Sequence, residues 1–247
     1  MQGGSIPLFR VAGIQVSLHF SWFIVAVYQV TSRPHGYESL TFAIYEYLAL
    51  FLIVLLHEFG HALACRSVGG MANRILLWPF GGVAFVQPPA RPGAQLWSIV
   101  AGPLVNVALI PVLLLLRVVV LRSGYALEAP DAYRLIWMTG YINIVILIFN
   151  LLPIYPLDGG QMLRSLLWYP FGPIRSLQIA AVIGLLGGGG LAIYAFTTGS
   201  TWLVILTLFL LSQAVQGWQR AKALQAEANA ALHPAPTPER VERPPVL

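Results

Sequence analysis

Within 52-LIVLLHEFGHALACR-66 an apolar run gives way to two histidines and a glutamate. Ionisable residues inside hydrocarbon are rare and costly, and they mark function. His57 and His61 are four residues apart, so a helix stacks them on one face. Two imidazole nitrogens at that spacing can hold one Zn²⁺. Glu58 lies about 100° round the helix, close enough to handle a proton on a water at that ion. The competing reading is a polar cluster bonded to neighbouring helices. Burying three titratable groups without a metal is expensive, which favours the metal.

A catalytic zinc needs a third protein ligand and one open position. Of the other histidines, His35 falls in a loop on the far side and His233 in a Pro-rich tail, which leaves His19 as a second choice. Cys65 shares the helix face but stands about 12 Å from His57 along the axis, too far for one ion. Among the acidic residues, Glu128 and Asp131 fall on the wrong side, and Glu227, Glu239 and Glu242 lie in the tail. Asp158 remains, in 150-NLLPIYPLDGGQMLR-164. Pro153 and Pro156 cannot continue a helix, and Gly159 and Gly160 free the backbone after the carboxylate. Such unwinding is tolerated in a membrane only where it lines a cavity or faces protein.

The elements that must position these groups are membrane spans. The 247 residues are 57% hydrophobic and 9% charged, with mean hydropathy +0.74; soluble domains carry about 25% charged residues. The net charge of +5 resides in loops between apolar segments, where it sets topology and gives no indication of nucleic acid. A single cysteine excludes an intramolecular disulfide framework. The N-terminus lacks a signal-peptide pattern, so the first apolar run is expected to be retained. Six runs approach the roughly 20 residues a crossing needs: about 17–32, 41–64, 96–121, 134–156, 176–197 and 201–218. The expected fold is therefore an all-α polytopic membrane protein with six transmembrane helices. A small membrane-associated β element accompanies them. It comprises 14-IQVSLHF-20, which alternates like a strand, and 74-RILLWPFGGVAFVQPP-89, two apolar arms about a Pro/Gly turn. Residues 1–218 form one domain, and 219–247 read as a disordered tail.

Counting Lys and Arg near the span ends places both termini, and the opening to the active site, in the cytoplasm. Arg10, Arg66, Arg74, Arg91, Arg164, Arg175, Arg220 and Lys222 share that side; Arg33, Arg122 and Arg134 face the other. His57, His61, Asn106, Asn150 and Asp158 then fall in the cytoplasmic half of the bilayer, where one wet cavity can serve them all. The run 187-GGGG-190 weakens the fifth span. Close helix packing is the preferred reading of that run, and a soft helix admitting substrate sideways is the other.

The chain resembles the site-2 proteases, intramembrane zinc metalloproteases. The resemblance rests on 57-HEFGH-61, 101-AGPLVN-106 and 150-NLLPIYPLDGG-160, with support from the PFGGVA hairpin, and it runs from about residue 6 to 218. It implies that His57, His61 and Asp158 hold one Zn²⁺ and that Glu58 is the catalytic acid/base. Asn106 and Asn150 match family asparagines, with substrate orientation and helix–helix hydrogen bonding as their two readings. The implied function is endopeptidase cleavage of transmembrane segments of membrane-anchored substrates, in a bacterial or archaeal cell membrane. The implied partners are a transmembrane protein substrate and the lipid bilayer. No PDZ or CBS segment is evident. The alternative is an inactive or transport-type zinc-binding membrane protein. A helical substrate must unwind before it can be cut, and the arms 75-ILLW-78 and 83-VAFV-86 offer a strand edge on which it could dock.

Overall fold

A computed structural model of the chain describes residues 4–32, 36–78 and 81–232. His35, His233, Pro79 and residues 233–247 lie outside them. The elements run β1 (Ser5–Val11), β2 (Ile14–His19), α1 (Ser21–Ser32), α2 (Leu40–Ser67), β3 (Met71–Trp78), β4 (Gly81–Gln87), α3 (Pro92–Arg122), α4 (Tyr125–Glu128), α5 (Pro130–Leu151), α6 (Asp158–Thr198) and α7 (Thr201–Leu232).

Among the described residues, five helices are long and apolar enough to cross a membrane: α2, α3, α5, α6 and α7. The run at 17–32, expected as a full span, is divided. Its first residues finish β2, and α1 has 12 residues, about 18 Å of helix. The alternation that marks 14–20 as a strand continues to His19 and takes those residues from the helix.

The β element is larger than a hairpin. Four strands form one sheet in the order β1-β2-β3-β4. β2 and β3 pair in parallel, from Gln15↔Arg74 to Leu18↔Leu77, and the two outer pairs are antiparallel. β1 escapes a sequence reading because SIPLFRV holds a proline and does not alternate. The 75–78 arm is interior, between β2 and β4, so only the 83–86 arm keeps an open edge. Ile14, Val16, Ile75 and Leu77 are fully buried and pack against Val54, Leu55, Ala62 and Cys65 of α2. This clamps the sheet along the half of α2 that carries the histidines. Arg66 of α2 also donates to the carbonyls of Ala12 and Gly13 in the β1–β2 turn.

α5 stops at Leu151, as Pro153 requires. Residues 152–157 are non-helical, and α6 opens on Asp158. The fifth apolar run, expected at 176–197, belongs to a 41-residue helical stretch that bends sharply at Gly172 (φ 75°, ψ 174°) between Pro170 and Pro173. Were α6 straight, Gly184 would lie about 39 Å from Asp158. Instead a Cβ on Gly184 would come within 2.6 Å of the Tyr155 carbonyl oxygen. The arm 158–171 therefore runs out from the unwound loop, and 173–198 returns alongside it. Gly187 faces Ile154 and Gly188 faces Leu211 of α7, while nothing lies within 4 Å of Gly189 or Gly190. Part of the glycine run is thus a packing surface for the loop that carries Asp158.

α7 continues past residue 219, where the sequence reading begins a disordered tail, and reaches Leu232. QRAKALQAEANAAL is dominated by Ala, Leu, Gln, Lys and Glu, all strong helix formers.

Candidate metal centre

The site is built where α2 and α3 press together. A Cβ on Gly60 would stand 2.6 Å from the Ala101 carbonyl oxygen, so only glycine allows the two backbones this close. A Cβ on Gly102 would collide with both imidazoles. The glycines inside HEFGH and AGP thus interlock, and each motif makes room for the other. Gly159 and Gly160 bring the first turn of α6 against the backbone of Leu151, Leu152 and Ile154, which seats Asp158 beside the histidines. At the N-terminus of α6 the helix dipole favours a carboxylate.

Nε2 of His57 lies 3.0 Å from Nε2 of His61, and Asp158 Oδ2 lies 3.0 Å from the first and 3.3 Å from the second. All three residues are buried. The ring protons are committed elsewhere. Asn143 Nδ2 donates to the Asn106 carbonyl, and Asn106 Nδ2 donates to Asn143 Oδ1. That exchange turns Asn106 Oδ1 toward His57, so His57 Nδ1–H is the donor across 2.6 Å. His61 Nδ1–H donates to the Ser98 carbonyl at 2.9 Å. Both Nε2 atoms therefore present lone pairs to each other and to a carboxylate oxygen that has no hydrogen-bond partner. Three acceptors facing one another in a buried pocket repel unless a cation lies between them. Ligands around a tetrahedral zinc at about 2.0–2.1 Å stand about 3.3 Å apart, which this triangle matches. Orientation of ligating histidines through the second ring nitrogen is the usual supporting arrangement. The residues present fit Zn²⁺.

Glu58 is buried, with a carboxylate oxygen within 4.8 Å of both imidazole ligand atoms. Its Oε2 is already engaged, accepting the Ala84 N–H at 2.8 Å. Asp158 Oδ2, by contrast, reaches both Nε2 atoms and has no other hydrogen-bond partner among the described residues. β4 closes over Glu58 so tightly that any side chain at Gly82 would clash with it.

A family model described as Peptidase family M50 matches residues 45–132 and 118–187. The chain belongs to this family. It is 31% identical over 212 residues to a zinc metalloprotease of Methanocaldococcus jannaschii, covering 86% of this chain and 60% of the relative. It is 33% identical over 153 residues to stage IV sporulation protein FB of Bacillus subtilis, covering 61% of this chain and 46% of the relative. The chain thus spans less than two thirds of the length of either relative. The solved site-2 protease from M. jannaschii superposes with a TM-score of 0.62 at 28% identity, over 87% of this chain and 95% of that one.

Of the residues this M50 chain offers from sequence, the structure brings His57, Glu58, His61 and Asp158 together. His19 stays at the end of β2, with Nδ1 against Ser21 Oγ, and Cys65 makes its contact with the Met71 carbonyl. Asn106 is fully buried beneath His57. Its Oδ1 faces His57 Nδ1. Asn150 is half-buried in the last turn of α5, outside this network. Sequence reasoning missed Asn143, Ser98 and the Ala84 N–H. A lone asparagine in the apolar run 141-YINIVILIF-149 is a signal that could have found the first. The other two act through backbone atoms, which no residue type announces.

Proposed function

We propose that the protein is an intramembrane zinc endopeptidase that cuts transmembrane segments of membrane-anchored substrates. The observation that carries this is the triangle of His57 Nε2, His61 Nε2 and Asp158 Oδ2 beside Glu58, inside helices of membrane length. A zinc ion held there supplies Lewis-acid polarisation of a peptide carbonyl and lowers the pKa of water toward neutrality. Glu58 takes the proton from the attacking water and delivers it to the leaving amine. The Ala84 N–H fixes the carboxylate for that transfer. His57 and His61 keep their tautomers because Asn106 and Ser98 hold their Nδ1 protons.

β4 is an edge strand, and the Ala84 N–H points out of the ladder toward Glu58. The open edge and the catalytic carboxylate are therefore adjacent, which supports docking of an unwound substrate by strand addition. Cleavage is expected at the depth of His57, and Gly, Pro or Asn near the cut should speed it.

A sixth crossing is supported by the sheet. β2 and β3 pair although α1 and α2 lie between them, so α1 starts at the end of the bundle where α2 finishes. The Lys/Arg excess on the sheet side supports cytoplasmic termini.

The test compares wild type with Glu58→Gln on a reconstituted transmembrane substrate, by mass spectrometry of fragments and by metal analysis. Glu58→Gln should hold zinc and release no fragments. Fragments from that variant would sink the assignment of Glu58. A zinc-loaded wild type that cuts nothing would favour a transport or scaffold role.

A further inference from the structure

A second polar feature lies outside the metal site. Between α3 and α5 runs a cleft of about 240 Å³, walled by Ile110 and Leu114 on one helix and Trp137 and Tyr141 on the other. That exceeds the roughly 150 Å³ that takes up a benzene. The two aromatic rings are stacked, with centroids 5.7 Å apart and planes within 2°. Arg117 occupies one end, and its Nε is buried with no hydrogen-bond partner. Asn143 closes the other end. Among the described residues, no acidic side chain lines the cleft. On that membrane face Asp131 accepts the Ser39 N–H and lies 4.0 Å from Arg134.

The orientation is that of a lipid. Arg117 lies five residues, about 8 Å, from the α3 terminus at Arg122. Asn143 lies about 20 Å from the α5 terminus at Pro130. The cationic end thus sits near the membrane surface opposite the sheet, and the apolar length points to the midplane of a core about 30 Å thick. An arginine at such depth normally pairs or snorkels to the interface. Here it lines the cleft, and an anionic headgroup above an acyl chain, as in a phospholipid, satisfies both ends.

We infer that the α3–α5 cleft is a binding site for an anionic phospholipid, with the headgroup phosphate on Arg117 and one acyl chain between Leu114 and the Trp137–Tyr141 wall. The occupied cleft would end against Asn143, whose amide holds Asn106 and, through it, His57.

The test uses the full chain in nanodiscs of phosphatidylcholine containing brominated phosphatidylglycerol or brominated phosphatidylcholine, read by tryptophan quenching. The Trp137 contribution is the difference between wild type and Trp137→Phe. It should be quenched by brominated phosphatidylglycerol at about fivefold lower mole fraction, the preference expected of one basic residue near a surface. Arg117→Gln should abolish the preference, and Arg122→Gln should leave it. Gly140→Leu fills the cleft at a position with nothing within 4 Å of the new Cβ. It should remove quenching with Arg117 intact. Equal quenching by the two lipids, or a preference that survives Arg117→Gln and Gly140→Leu, would overturn the proposal. So would displacement of the bromolipid by a hydrophobic helical peptide but not by unlabelled phosphatidylglycerol, which would assign the cleft to a polypeptide.

Discussion

Helix α2 carries two buried polar clusters, one around Glu46 and one around His57, Glu58 and His61, about 16 Å apart along its axis. Near the first, backbone N–H groups meet a carboxylate and a guanidinium meets a carbonyl. Asp131 of α5 accepts the N–H groups of Ser39 at 3.0 Å and Glu38 at 3.4 Å, where α2 begins. Arg134 donates to the Gly36 carbonyl. Tyr37 lies beside Glu46, and burial together with that carboxylate pushes its phenol above the ordinary value. In the second cluster the Nε2 acceptors of His57 and His61 meet Asp158 Oδ2, and the imidazole protons are directed outward to Asn106 and Ser98. Polar burial in a membrane does not by itself mark a reaction centre. The balance of donors and acceptors separates a helix tie from a cation site.

Removing a ligand should break the contrast most completely. Asp158→Ala leaves two imidazoles and an open pocket, and zinc measured by plasma mass spectrometry should fall from about one per chain to background. Glu58→Gln should keep full zinc and lower cleavage about 10²–10⁴-fold. Full zinc retention in Asp158→Ala would move the third ligand elsewhere.

One step smaller is the relay behind His57. Asn106→Ala frees the Nδ1 proton from its partner and should weaken zinc about 10–100-fold, the usual loss for a ligand's supporting residue. A competition titration with a chelator reads this directly. Asn143→Ala, one bond further out, should show a smaller shift in the same direction. Equal affinity in both variants and wild type would mean that packing alone orients His57.

How much of this could be read from the chain follows the same division. His57, Glu58, His61 and Asp158 were legible because side-chain chemistry in an apolar run is rare, and because prolines around Asp158 forbid a helix there. The strand at 14–19 was legible from its alternation. The parallel β2–β3 pairing was not, since it joins segments separated by two helices. The reversal at Gly172 was hidden as well, because Pro-Phe-Gly-Pro reads equally as a kink or a turn until Tyr155 is found against Gly184. Asn106 was visible, but its direction was not. A residue type gives the available bonds, and only the neighbours decide which is made.

The glycines of α6 sharpen the comparison at intermediate size. Gly184 supports the Asp158 loop through Tyr155, whereas Gly189 faces nothing within 4 Å. Gly184→Ala should displace the loop and lower zinc affinity several-fold. Gly189→Ala should leave zinc unchanged and stabilise the helix by about 1 kcal/mol. Similar zinc loss from both would point to helix softness, with close packing playing no part.

The smallest effect belongs to the cluster where donors already meet acceptors. Asp131→Ala removes the acceptor from two N–H groups at the start of α2. Loss of a capping carboxylate costs about 1 kcal/mol, and the water at that membrane face can take over part of the bonding. Arg134→Ala should cost less, because its side chain is 45% exposed and its nearest Asp131 oxygen is 4.0 Å away. Neither change touches a ligand, a ligand's partner or Glu58. Thermal unfolding should therefore shift slightly in Asp131→Ala, while zinc content and cleavage at saturating substrate match wild type. If Asp131→Ala lowered zinc affinity as far as Asn106→Ala does, the two ends of α2 would be coupled, and the distinction between helix tie and cation site would fail for this protein.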